Sequence, residues 1–137
     1  MIVSQPRESL WAWLNTRVPA VGWTEDFRAI GLVRDDCLIA VAGYNWFVGK
    51  TCHVHIAADD KRIPRSFVRA GFDYAFRQLD LVSVFAWMDP AKPHPLDIDY
   101  RLGFNDALRV PGGTVEGNDL ILIQLNRADC KWLKGIK

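Results

Sequence analysis

The sequence predicts an α+β (mixed α/β) domain over residues 1–137, built on a mostly antiparallel mixed sheet with one parallel, splayed strand pair flanked by helices. Three observations carry that expectation. Three strand-like runs separated by tight turns read as an antiparallel meander. The amphipathic stretch from Pro64 to Leu79 lies between two apolar strand patterns, which makes a parallel crossover. A last pair of alternating segments around glycine-rich turns reads as a hairpin.

Leu10, Trp11, Trp13, Leu14 and Val18 recur at helical spacing between Pro6 and Pro19, so a first helix is expected from about Pro6 to Arg17. Phe27 to Val33 and Cys37 to Phe47 are rich in β-branched, aromatic and small residues and flank the turn Arg34-Asp35-Asp36. Val48-Gly49-Lys50 then turns the chain into Thr51 to Ala57, where Cys52, Val54 and Ile56 alternate with His53, His55 and Ala57. Pro64 opens a helix whose apolar side holds Phe67, Val68, Gly71, Phe72, Ala75, Phe76 and Leu79, with Arg69, Asp73 and Arg77 opposite. Gly71 inside so strong a helix predicts close approach to the sheet. Leu81 to Met88 reads as a strand buried on both faces, Asp97 to Leu102 as a short helix ended by Gly103, and Asp106 to Val110 with Leu120 to Leu125 as the closing hairpin.

Composition narrows the function classes. Net charge is +1, from 17 basic and 16 acidic residues, so no whole-molecule field favours nucleic acid. Lys131, Lys134 and Lys137 read as a solubilising tail. The three cysteines, Cys37, Cys52 and Cys130, are widely spaced and odd in number, which suits a reducing compartment. No signal pattern and no apolar run of about 18 residues is present, so a cytoplasmic protein without membrane contact is expected.

Ligands of mixed sheets gather at the carboxyl ends of parallel strands, beside the next helix N-terminus. Here that loop runs from Ala58 to Arg65, with Arg62, Arg65 and Arg69 at helical spacing. Cations at a helix start oppose the macrodipole by about 0.3–1 kcal/mol each, a cost that an anion would reverse. The plainer reading has Asp59 and Asp60 capping the helix and the arginines solvated. His53 and His55 leave their strand on one side, and an imidazole titrating near about pH 6.5 can take a proton from an ammonium group. Either could instead satisfy a hydrogen bond on the sheet. Cys52, His53 and His55 lack a fourth ligand at zinc-like spacing, so no metal is expected. Trp11, Trp13 and Trp87 are expected in packing and His94 in a loop.

The element order, the arginine-bearing loop, His53-Val54-His55-Ile56-Ala57, Arg65-Ser66-Phe67-Val68-Arg69-Ala70-Gly71-Phe72-Asp73-Tyr74 and Tyr100-Arg101-Leu102-Gly103-Phe104 together resemble the GNAT superfamily of N-acetyltransferases. The segments are similar to small GNAT-like proteins of bacteriophage genomes, which would place the protein in a host cytoplasm. The likeness runs from about Phe27 to Leu125. It implies an acetyl-CoA-dependent N-acetyltransferase acting on a primary amine, either a small molecule or a protein, with no nucleic acid, membrane or metal partner and with a homodimer allowed.

It further implies that acetyl-CoA enters a wedge between Thr51 to Ala57 and Leu81 to Met88. His55, Ile56, Ala57 and Ala58 would meet the pantetheine arm, and Lys61, Arg62, Ile63, Arg65 and Ser66 the pyrophosphate. His55 or His53 would accept the amine proton, and Tyr100 is the tyrosine next in sequence to the thiol-protonating position. Trp23, Glu25, Tyr44 and Trp46 are candidates to line the acceptor pocket, since the family places its acceptor near the first helices and mid-sheet. The sequence departs from the family pattern twice. Ile63-Pro64 replaces the glycine-type positions of the phosphate loop and removes one N–H donor. Lys92 and Asp99 occupy the places of the asparagine that opens the next helix and of the thiol-protonating tyrosine. Tyr100 lies one residue on, turned by about 100° on a helix. These departures support a rival expectation, a catalytically silent GNAT fold serving as a binding or virion-associated module.

Overall fold

The computed structural model describes residues 1–18, 21–59, 63–91 and 101–133. Seven strands form one sheet in the order β1-β2-β3-β4-β5-β7-β6. They are β1 (Ile2–Val3), β2 (Arg28–Arg34), β3 (Cys37–Val48), β4 (Thr51–Ala58), β5 (Ser83–Met88), β6 (Asn105–Val110) and β7 (Leu120–Asn126). Helix α1 (Arg7–Arg17) covers one face of β2, β3 and β4, and helix α2 (Arg65–Asp73) covers the other face. The β4–β5 pair is parallel, while β1–β2, β2–β3, β3–β4, β5–β7 and β6–β7 are antiparallel.

The meander is set by local chemistry. Asp35 and Asp36 take φ of 52° and 61°, the double left-handed turn whose twist suits a two-residue hairpin, and Arg34 pairs with Cys37 across it. Alternation then sorts the side chains. Tyr44, Cys52 and Ile30 join Phe67, Phe72 and Phe76 in the larger core under α2, whereas Val41, Ala29 and Phe27 join Leu10 and Leu14 under α1. Gly43 lets α1 settle there, since a Cβ on it would lie 2.6 Å from Leu14 Cδ2. Gly71 plays that part on the other face, where a Cβ would stand 3.3 Å from the Tyr44 hydroxyl that donates to the Gly71 carbonyl at 2.7 Å.

Two expectations change, one strand is added, and one helix lies mostly beyond the described residues. The helix opened by Pro64 is α-helical only to Asp73 and continues as a π-helical turn over Tyr74–Gln78, where the wider coil seats Ala75 and Phe76 in the core. The strand expected from Leu81 starts at Ser83 and is not covered on both faces, because Val82 and Trp87 are exposed: α1 stops short of β5. Strand β1 escapes periodicity because two residues carry none; it pairs Ile2 with Leu32 and Val3 with Gly31. The helix expected over Asp97 to Leu102 falls mostly outside the described residues, although Arg101 and Leu102 are helical and Gly103 follows at φ 115°.

Candidate active site

The parallel ladder is short. It pairs Thr51 with Ser83, Cys52 with Val84 and His53 with Phe85, and then β4 and β5 part. Its closed end is tied by Asp80, whose carboxylate reaches Lys50 Nζ at 3.2 Å and Arg127 Nη1 at 3.2 Å, and by Val82 and Arg127 N–H groups bonded to the Lys50 and Val82 carbonyls. At the open end, β4 from Val54 to Ala58 keeps β3 on one side and has no ladder partner from β5 on the other. A narrow apolar cleft lies over this opening, walled by Val54 and Ile56, by Phe67 and Phe72, and by Leu102 and Phe104. His55 also borders the cleft, so β4 has an apolar opening beside its histidines.

The histidines face the α1 side. His55 Nε2 lies 2.9 Å from Oδ1 of Asn45, a fully buried side chain at 0% exposure. With the amide so oriented, Nε2 carries the proton and donates, which leaves Nδ1 of His55 as the nitrogen with a lone pair. His53 is ringed by aromatics: Trp46 edge-on at 5.0 Å, Phe85 at 6.1 Å and Trp87 stacked at 6.4 Å. Burial holds its pKa below the ordinary value, and its Nδ1 is buried without a partner, so protonating that nitrogen would strand an N–H. Burial and the neighbouring His53 push His55 down to about 4. The expectation of imidazoles titrating near neutrality is thereby corrected: both are neutral at pH 7, His55 strongly so.

Trp46 owes its place to a bulge. Between the pairs Asn45–His53 and Val48–Thr51, Trp46 and Phe47 oppose Cys52 alone, and Trp46 takes φ 51°. Cys52 points into the α2-side core, away from the imidazoles, and burial pushes its thiol up to about 12. The three side chains therefore cannot share a ligand.

Of the other expected site residues, Ile56 and Ala58 turn to the α2 core and Ala57 to the α1 side. Ile63 packs on the core, and Arg65 and Ser66 are exposed in the first turn of α2. Lys61, Arg62, Tyr100, Lys92, His94 and Asp99 lie outside the described residues. Asp59 does not cap the helix; its carboxylate takes two bonds from Arg17, at 2.7 and 3.0 Å. Pro64 is the cap residue, with no side-chain cap bond and no acid in the first turn, so nothing on the described helix start offsets its dipole. Tyr44 is corrected from acceptor candidate to buried core residue. Trp23 packs against Trp11 and Phe27, with Glu25 3.5 Å from its indole N–H. Trp87, expected in packing, is exposed. Asn45 and Phe85 carry no signal of their own in the sequence, and only cross-strand register brings them to the histidines.

A meander, a crossover through a splayed parallel pair and a closing hairpin make this the GNAT fold. No family model and no curated protein matches the chain in sequence. Among solved structures it is similar to a point variant of the spermidine N-acetyltransferase SpeG from Vibrio cholerae, with TM-score 0.78 and 14% identity over 98% of both chains. It is also similar to the dodecameric spermidine N-acetyltransferase from Vibrio cholerae in an intermediate state, with TM-score 0.76 and 12% identity over 100% of this chain and 98% of that one. A third, SpeG from Vibrio cholerae in complex with manganese ions, has TM-score 0.70 and 12% identity over 92% and 91%.

Proposed function

We propose that the protein is an acetyl-CoA-dependent N-acetyltransferase acting on a primary amine. The observation that carries this reading is the seam between β4 and β5, where an apolar cleft on the α2 face opens beside histidines on the α1 face. The pantetheine arm would lie along the open edge of β4, pairing with backbone groups of Val54 to Ala58, and the pyrophosphate would meet the uncapped start of α2 with Arg65 and Ser66. Lys61 and Arg62 belong to the same loop in sequence.

In the transfer, the amine nitrogen forms a bond to the thioester carbonyl carbon, the C–S bond breaks, and the products are an N-acetylated amine and the free thiol. The nitrogen gives up one proton, which His55 would accept at Nδ1, directly or through water, while the thiolate gains one from Tyr100 or water. Strand N–H groups on the open edge of β4 would hold the carbonyl oxygen as it becomes negative. No step draws on a metal. The protein would work in the cytoplasm, that of the host where a bacteriophage genome encodes it, as a monomer or homodimer.

Calorimetric titration with acetyl-CoA, followed by thiol release in the presence of primary amines, tests the reading. Arg65→Ala should weaken coenzyme binding and leave the fold intact. Absence of binding at millimolar coenzyme overturns the proposal. One observation favours a second reading: a base pushed down to about 4 has little proton affinity, which suits a silent fold used for binding or in a virion. Tight coenzyme binding without thiol release for any amine would select it.

A further inference from the structure

We propose that the amine accepted at this site is an arylalkyl amine, held by its ring against Trp46 and Trp87, and not a polyamine; the proposal rests on the acetyl-transfer reading. Trp46 and Trp87 are each 42% exposed on the α1 side of the sheet, with His53 between them in ring contact with both. Two large indoles left open beside one imidazole form an aromatic shelf.

Backbone strain marks the same place. A bulky side chain at φ 51° is uncommon, and Trp46 is held there by the bulge that aims its edge at both His53 and His55, at 5.0 and 5.7 Å. Without the bulge, pairing in step beyond Asn45 would remove this position from the shelf. Phe85 extends the apolar surface beneath His53.

Among the described residues, the charges beside the shelf suit one ammonium group and not several. A ligand with several ammonium groups needs carboxylates to replace the water it loses. Among the described residues, no acid is a hydrogen-bond partner of either imidazole. Asp26 is already engaged by the Phe47 N–H at 3.3 Å and by the Thr24 hydroxyl, and Glu25 lies by the Trp23 indole, which leaves Asp89, two residues beyond Trp87 and with a buried Oδ2 that has no partner, as a carboxylate for one ammonium group. A ligand with one nitrogen and a flat ring needs no further carboxylates: the ring stacks on indole, and the nitrogen reaches the seam as the neutral amine.

The test compares 2-phenylethylamine, hexylamine and spermidine on the full chain, by calorimetry with and without coenzyme A and by thiol release from acetyl-CoA. 2-Phenylethylamine should bind about tenfold or more tightly than hexylamine and spermidine, and quench tryptophan fluorescence. Trp87→Leu should weaken that binding about fivefold with the denaturant midpoint unmoved, and Trp46→Gly, which relieves the positive φ, should weaken it without unfolding the chain. Spermidine binding as well as or better than 2-phenylethylamine overturns the proposal. So does an unchanged affinity in both variants, or a Trp87→Leu variant whose only effect is a smaller assembly, which would make the shelf a contact between copies. Ring-selective binding without thiol release would leave the ligand class standing and sink acetyl transfer instead.

Discussion

The two sides of β4 are built on opposite terms. Toward α2, Cys52, Val54 and Ile56 meet a closed apolar core that ends in a cleft. Toward α1, His53 and His55 meet Asn45 and three aromatic rings, with buried polar atoms left unpaired at His53 Nδ1 and Asn45 Nδ2. The first side is what burial of apolar surface produces unaided. The second is held against a desolvation cost, the pattern found where a fold gives up stability to keep chemical groups in place.

The largest effect should come from removing the group that gives the second side its chemistry. His55→Ala should lower turnover about 10²–10⁴-fold while calorimetry shows coenzyme affinity unchanged. A loss confined to coenzyme affinity would move the function of His55 to the cleft.

Stability against pH sharpens the contrast. Because His55 is pushed down to about 4 in the folded chain, the unfolded chain binds its proton first as acid is added. The native state is therefore fully favoured by this group above about pH 6.5 and loses that advantage as the pH falls toward 4, on the order of 3 kcal/mol in all. Denaturant titrations between pH 7 and 4 should show this slope, and His55→Gln should flatten it. Asn45→Asp would place a carboxylate against Nε2, raise the pKa of His55 and move the acid limb of the rate profile to higher pH. An unmoved limb would separate Asn45 from the proton transfer.

On the α2 side the same logic predicts a packing effect. Gly71→Leu should destabilise by roughly 1–3 kcal/mol in denaturant titration, because the added side chain must displace Tyr44 and invade the cleft. Smallest of all, Asp59→Asn should leave the denaturant midpoint in place, since the Arg17–Asp59 pair is solvated.

The sequence was a better guide to one side than to the other, for a physical reason. Apolar alternation and the helical stripe from Phe67 to Phe76 are local periodicities, so the meander, the crossover and the α2 core could be read from them. Asn45 and His55 are ten residues apart, and Phe85 is farther still; register, shifted by a bulge that no local pattern announces, brings them together. Trp87 looked like core because an apolar run does not tell how far a helix on the other face extends. The depressed titration of His55 also follows from that enclosure and not from the residue itself.

The clamp of Asp80 on Lys50 and Arg127 closes one end of a seam that only a few rungs hold together. Mechanically the molecule is a clothes peg: β1 to β4 form one jaw, β5 with β7 and β6 the other, and the Asp80 end is the spring. A chain slipped between the jaws would extend the hydrogen bonding of β4 and join the halves. Amide exchange from Val54 to Ala58 should then slow on coenzyme binding far more than exchange at Thr51 beside the spring.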